Sequence, residues 1–126
     1  MTQKNRRPVF LDLTRIHLPV TAVLSITHRL SGIVLFLLIP LLIYLLDLSL
    51  SSQQSYNRVV AVFDHWGARF AFCILLWGFF HHLLAGIRYL LIDIDIAVRR
   101  ESSQITAWCV IVGGVLVLFA ASMMLL

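Results

Sequence analysis

Three long stretches of this chain carry no charged side chain: between Arg29 and Asp47, between Arg69 and Arg88, and everything after Glu101. A helix needs about 20 apolar residues to cross the hydrocarbon of a bilayer, where each backbone amide has to find its partner within the protein. The runs therefore predict an all-α fold, a bundle of three transmembrane helices over about residues 21–46, 66–92 and 103–125. With 60% hydrophobic residues in a 126-residue chain, residues 1–126 read as a single integral membrane domain surrounded by lipid. Residues 1–20 form its polar lead-in, and no separate soluble domain is expected.

Ten Lys and Arg against six Asp and Glu would suit nucleic acid, but the placement of the charges indicates topology and no nucleic-acid partner. Lys4, Arg6, Arg7, Arg15 and Arg29 precede or open the first span, and Arg88, Arg99 and Arg100 flank the turn between spans two and three. Only Arg58 and Arg69 lie on the other side. The positive-inside rule then puts the N-terminus in the cytoplasm and the C-terminus in the periplasm, and a compact chain without a long presequence favours a bacterial inner (cytoplasmic) membrane over a mitochondrial one. The first apolar run lacks a small-residue cleavage site, so no cleaved signal peptide is expected. Cys73 and Cys109 lie inside spans without a CxxC or CxxCH pattern and read as packing residues.

Pro19 is placed to start the first helix, and Pro40 to kink it. The polar connection over residues 47–65 is expected to hold a short interfacial helix near Tyr56 to Phe63. Trp66 and Tyr89 read as interfacial aromatics, and Ser102 or Ser103 as a cap for the third span.

Two clusters can carry chemistry. Gly78, His82 and Gly86 fall four residues apart on one face of span two. A histidine in a membrane helix is costly without a partner or ligand. A flat macrocycle could use the imidazole for its iron and the glycines for close approach; the competing reading is an imidazole bonded to a neighbouring helix. The adjacent His81 points about 100° away and is assigned to lipid or packing. In span one, Ser25, His28, Arg29 and Gly32 share a stripe. Arg29 alone would suit a snorkelling anchor, whereas a hydroxyl beside a fixed cation suits a quinone oxygen that gains negative charge. Arg88 and Asp93 fit either an interfacial pair or the mouth of a quinone or proton path. His17 and His65 receive no role.

Arg7-Pro8, Ser25-Ile-Thr-His-Arg-Leu-Ser-Gly32, and His82-Leu-Leu-Ala-Gly-Ile-Arg88 followed by Asp93 resemble the large cytochrome b membrane-anchor subunit of succinate dehydrogenase (complex II). The resemblance covers the order and spacing of all three spans, with little signal in the third. It implies a haem b shared with a second, smaller membrane-anchor subunit, His82 being one axial ligand and the partner supplying the other. Docked iron–sulfur and flavoprotein subunits would pass electrons from succinate, in the tricarboxylic acid cycle, to ubiquinone. Ser25 and Arg29 match the family's quinone-site residues, with Ile26 expected in the same pocket, and His28 with Arg29 matches positions that contact the haem propionates. The lead-in reads Arg-Pro-Val-Phe-Leu-Asp-Leu where many relatives have a Ser-Pro-His version. The chain alone would have no dehydrogenase activity. Alternatives are a haem-b anchor of a fumarate reductase or other respiratory complex, a small membrane transport or assembly protein without cofactors, and a pairing of His28 with His82 inside this chain.

Overall fold

The structure, a computed structural model, describes residues 17–125. The lead-in motif at Arg7-Pro8 lies outside the described residues. Four helices follow one another: α1 (Val20–Ser51), α2 (Gln53–Val62), α3 (Trp66–Asp93) and α4 (Arg100–Leu125). Of these, α1, α3 and α4 are long and apolar enough to cross a membrane.

Pro19 stands immediately before α1, and its carbonyl accepts from the Ala22 and Val23 amides. The helix contains 32 residues, roughly 48 Å at 1.5 Å per residue, so it outruns the expected span by a turn and more. Asp47 therefore lies inside it. Near its end the Ser49 and Ser51 hydroxyls donate to the Leu46 and Leu48 carbonyls. Ser52 then turns extended and accepts from the Ser55 amide at 3.1 Å, starting α2 as an N-cap. The expected short helix thus begins slightly earlier, at Gln53. Arg69, in the first turn of α3, closes this end of the bundle by donating to the Phe63 carbonyl at 2.7 Å and to that of Leu125 at 3.4 Å.

Helix α3 is central and packs on both α1 and α4. Its buried residues Cys73, His81, Ala85 and Arg88 recur on one stripe. Ala85 meets Leu24, Ala107 and Val110 in a core of mostly small side chains, which lets backbones approach where helix association relies on close packing. Cys73 is buried on α3, but Cys109 is exposed on α4.

Arg88 differs from the expected interfacial pair with Asp93. It is buried, and its guanidinium donates to Thr106 Oγ1 at 3.0 Å and to the Ser103 carbonyl and hydroxyl at 2.9 and 2.8 Å. Three residues after Ala85 and seven after His81, it faces α4 and cannot serve as a surface partner of the exposed Asp93. Helix α4 begins at Arg100, so Ser102 and Ser103 lie inside it and Ser103 is an Arg88 partner, not a cap. The connecting turn places Asp95 and Ala97 at φ 62° and 61°, a region that costs L-residues about 1–2 kcal/mol.

Candidate functional site

Two consecutive residues of α1 meet two consecutive residues of α3: Thr27 faces His81, and His28 faces His82. Because neighbours on a helix diverge by about 100°, the two contacts look to different sides of the seam. On the first side the Thr27 hydroxyl lies 3.1 Å from the Val23 and Leu24 carbonyls and 2.9 Å from His81 Nε2. The hydroxyl has a single proton, so the direction of the Thr27–His81 hydrogen bond is set by the His81 tautomer. His81 is buried and stacks on Trp77, centroids 5.2 Å apart. Gly114 of α4 makes the room, since a Cβ there would lie 3.2 Å from Trp77 Nε1 and 3.5 Å from His81 Nδ1. Of the two roles expected for His81, it has the packing one.

On the second side His82 Nδ1 lies 3.1 Å from the His28 carbonyl and 3.3 Å from the Ser31 hydroxyl. A carbonyl only accepts, so Nδ1 carries the proton and Nε2 keeps its lone pair. Metal-binding histidines have this arrangement, in which a backbone acceptor fixes tautomer and ring orientation. His82 lines a groove of about 470 Å³ with His28, Arg29, Gly32, Ile33, Phe36 and Leu37.

Within this chain the glycines around His82 have unequal surroundings. A Cβ at Gly78 would meet nothing within 4 Å, and one at Gly86 would meet only His28 Nε2, at 3.7 Å. Gly86 therefore seats the His28 ring instead of leaving a bare slot. The glycine that His82 needs is Gly32, across the seam, where a Cβ would lie 2.8 Å from His82 Cε1.

The His28 ring is stacked on His82 and tilted against Tyr89, with centroids 4.2 and 5.2 Å away. Its Nε2 and the Tyr89 hydroxyl are buried without a hydrogen-bond partner among the described residues. Tyr89 is thus half-buried against His28 and the core and is not an interfacial anchor. Arg29 is exposed along the groove, its Nε donating to the Ser25 carbonyl at 3.3 Å. Ser25 and Ile26 do not line the groove; Ser25 is half-buried one turn earlier on α1, and Ile26 is exposed. The structure thus gathers His28, Arg29, Gly32 and His82 and leaves Ser25 and Ile26 beside them. Sequence reasoning missed Thr27 and Ser31, two hydroxyls one helical turn apart that flank His28 and Arg29. His17 and His65 are exposed and remote from the groove.

Chemically, the groove offers the His82 Nε2, apolar walls, and a cation at its edge. Among the described residues no three His, Cys, Asp or Glu side chains gather to chelate an ion. A single nitrogen suits a metal already held by a macrocycle, and Arg29 suits an anionic substituent on it.

Comparison with known proteins gives a consistent set of likenesses. Residues 3–121 match the family model described as succinate dehydrogenase/fumarate reductase transmembrane subunit. The succinate dehydrogenase cytochrome b556 subunit of Coxiella burnetii is 42% identical over 108 residues, covering 85% of this chain and 86% of the relative. That of Rickettsia conorii is 31% identical over 112 residues, covering 89% and 87%. The succinate dehydrogenase cytochrome b560 subunit of Reclinomonas americana is 34% identical over 108 residues, covering 81% and 74%.

Proposed function

This chain belongs to the succinate dehydrogenase/fumarate reductase transmembrane subunit family, and from that premise we propose that it anchors a succinate:quinone oxidoreductase and provides half of a haem b site. The observation that carries the reading is the tautomer of His82. Its Nδ1–H is committed to the His28 carbonyl, so Nε2 is the nitrogen that would hold the iron. Haem, when bound, supplies a one-electron centre whose potential follows from its axial ligands and burial.

The chain's own residues do the rest. Gly32, Ile33, Phe36 and Leu37 wall the groove with apolar surface and exclude water. Arg29, exposed along the groove, would meet the propionates, with His28 packed beside it. Ubiquinone would bind at the Ser25 end of α1, where the hydroxyl donates to a quinone oxygen and Arg29 favours negative charge on it. Ile26, exposed beside them, would be the apolar wall.

On this reading the basic ends around Arg29 and the α3–α4 turn face the cytoplasm of a bacterial inner membrane. Flavoprotein and iron–sulfur subunits would dock there, and a second small anchor subunit would hold the other side of the haem. Affinity purification of the tagged chain should retain those three subunits, and Ser25→Ala should lower ubiquinone reduction at least tenfold while dye reduction by the soluble subunits persists. Isolation of the chain without dehydrogenase subunits would refute the anchoring role. Unchanged quinone kinetics in Ser25→Ala would remove Ser25 from the site.

A further inference from the structure

We infer that Gly32 is a positioning residue for the His82 imidazole: with the Ser31 hydroxyl and the Thr27–His81 contact it fixes the plane of the ring, and so the spectroscopic and redox character of the centre that His82 ligates. This inference rests on His82 being a haem ligand. Three independent contacts carry it.

The first is at Gly32 itself. A Cβ there would lie 2.8, 3.3 and 3.8 Å from Cε1, Nδ1 and Nε2 of His82. The outer edge of the ring therefore rests on the backbone of α1, and the smallest added side chain displaces it. The second contact sets rotation about the ring's own bond to the chain. Nδ1 is held between the His28 carbonyl at 3.1 Å and Ser31 Oγ at 3.3 Å, and Ser31 itself donates to that carbonyl at 2.8 Å. Ser31 is buried, so water does not readily replace it.

The third contact sets register. His82 can meet the carbonyl of residue 28 only while α1 neither slides nor rotates against α3. The Thr27–His81 bond of 2.9 Å, one residue earlier on both helices, locks that relation. His81, buried and stacked on Trp77 against Gly114, is therefore used without touching the groove. Retreat of the His82 ring is also blocked, because His28 stacks on it at 4.2 Å and is backed by Tyr89 and the bare face of Gly86.

The plane of an axial imidazole determines which iron d orbital its π system overlaps. A rotated ring therefore changes the g values of the low-spin ferric state, and a lengthened hydrogen bond from Nδ1–H to the His28 carbonyl lowers ligand basicity and moves the potential. The test is made on the purified intact complex, by low-temperature EPR and a redox titration of the b-type absorption. Gly32→Ala should shift both the low-field g value and the midpoint potential, with any loss of haem content below twofold. Thr27→Val, which keeps volume and removes the bond to His81, should shift the same readouts by less. Gly113→Ala is the packing control: its Cβ would meet Leu84 Cδ1 at 3.2 Å, away from His82, and it should leave both unchanged.

Wild-type g values and potential in Gly32→Ala would overturn the inference. Should Gly32→Ala fail to assemble, unchanged signals in both Thr27→Val and Ser31→Ala would overturn it equally, and shifted ones would support it. Equal shifts in Gly113→Ala and Gly32→Ala would reduce the effect to general packing and also reject it. A wild-type complex without b-type absorption defeats the haem reading itself, an outcome distinguishable because it appears before any substitution.

Discussion

The imidazoles of His28 and His82 lie face to face, their centroids 4.2 Å apart and their planes 12° from parallel. Two axial ligands of one iron point nitrogens at each other with the macrocycle between them, and stacked rings at van der Waals separation leave no space for that. The geometry therefore opposes an intramolecular pair and assigns the two rings different tasks. If His82 ligates iron, the opposing ligand is not the His28 imidazole in this arrangement.

His28→Leu should accordingly keep the b-type absorption of the complex at near wild-type content, because the His28 carbonyl that orients His82 is backbone. Haem content per complex, measured from the reduced spectrum, checks this. A total loss of haem would make the His28 side chain a ligand after all.

Arg88 links α3 to α4 through Ser103 and Thr106. Charge-assisted hydrogen bonds are worth about 1.5–3 kcal/mol in soluble proteins, and interhelical ones in membranes average nearer 0.6. Arg88→Leu should cost about 1–3 kcal/mol in the unfolding of the complex in detergent, and Asp93→Asn should leave stability within about 0.5 kcal/mol. The same loss in both would restore the interfacial pair expected from sequence.

Ala97 holds φ 61° in the α3–α4 turn. Ala97→Gly removes a left-handed penalty of about 1–2 kcal/mol and adds chain entropy worth about half of that. A net gain of about 0.5–1 kcal/mol should appear as a higher midpoint of thermal unfolding; a lower midpoint would show that the turn is not strained at Ala97.

At Gly78 an added methyl meets open space. Gly78→Ala should therefore raise stability by up to about 1 kcal/mol through helix propensity and leave the haem spectrum unchanged. A disturbed spectrum would return Gly78 to the wall of the site.

The spans were legible because lipid imposes long uncharged runs, and α1, α3 and α4 follow those runs within a turn or so. Their ends were less legible: Asp47 marks a charge, yet the helix continues past it to Ser51. Within the site, His82 stood out through its cost in an apolar helix, and His28, Arg29 and Gly32 through their shared stripe. The function of the glycines was not legible, since periodicity places Gly78 and Gly86 on the His82 face but cannot show that Gly32 of another helix touches its ring. Arg88 was misread for a related reason. Its distance from the helix end was visible, whereas its direction toward Ser103 and Thr106 depends on how α3 and α4 pack.

The most direct test is the reduced-minus-oxidised spectrum of the purified complex carrying His82→Leu or His81→Leu, beside wild type. His82→Leu should lose the b-type bands or convert them to a form with a displaced ligand field, while His81→Leu retains wild-type band positions. Intact bands in His82→Leu, or their loss in His81→Leu alone, would contradict the assignment of the iron to His82.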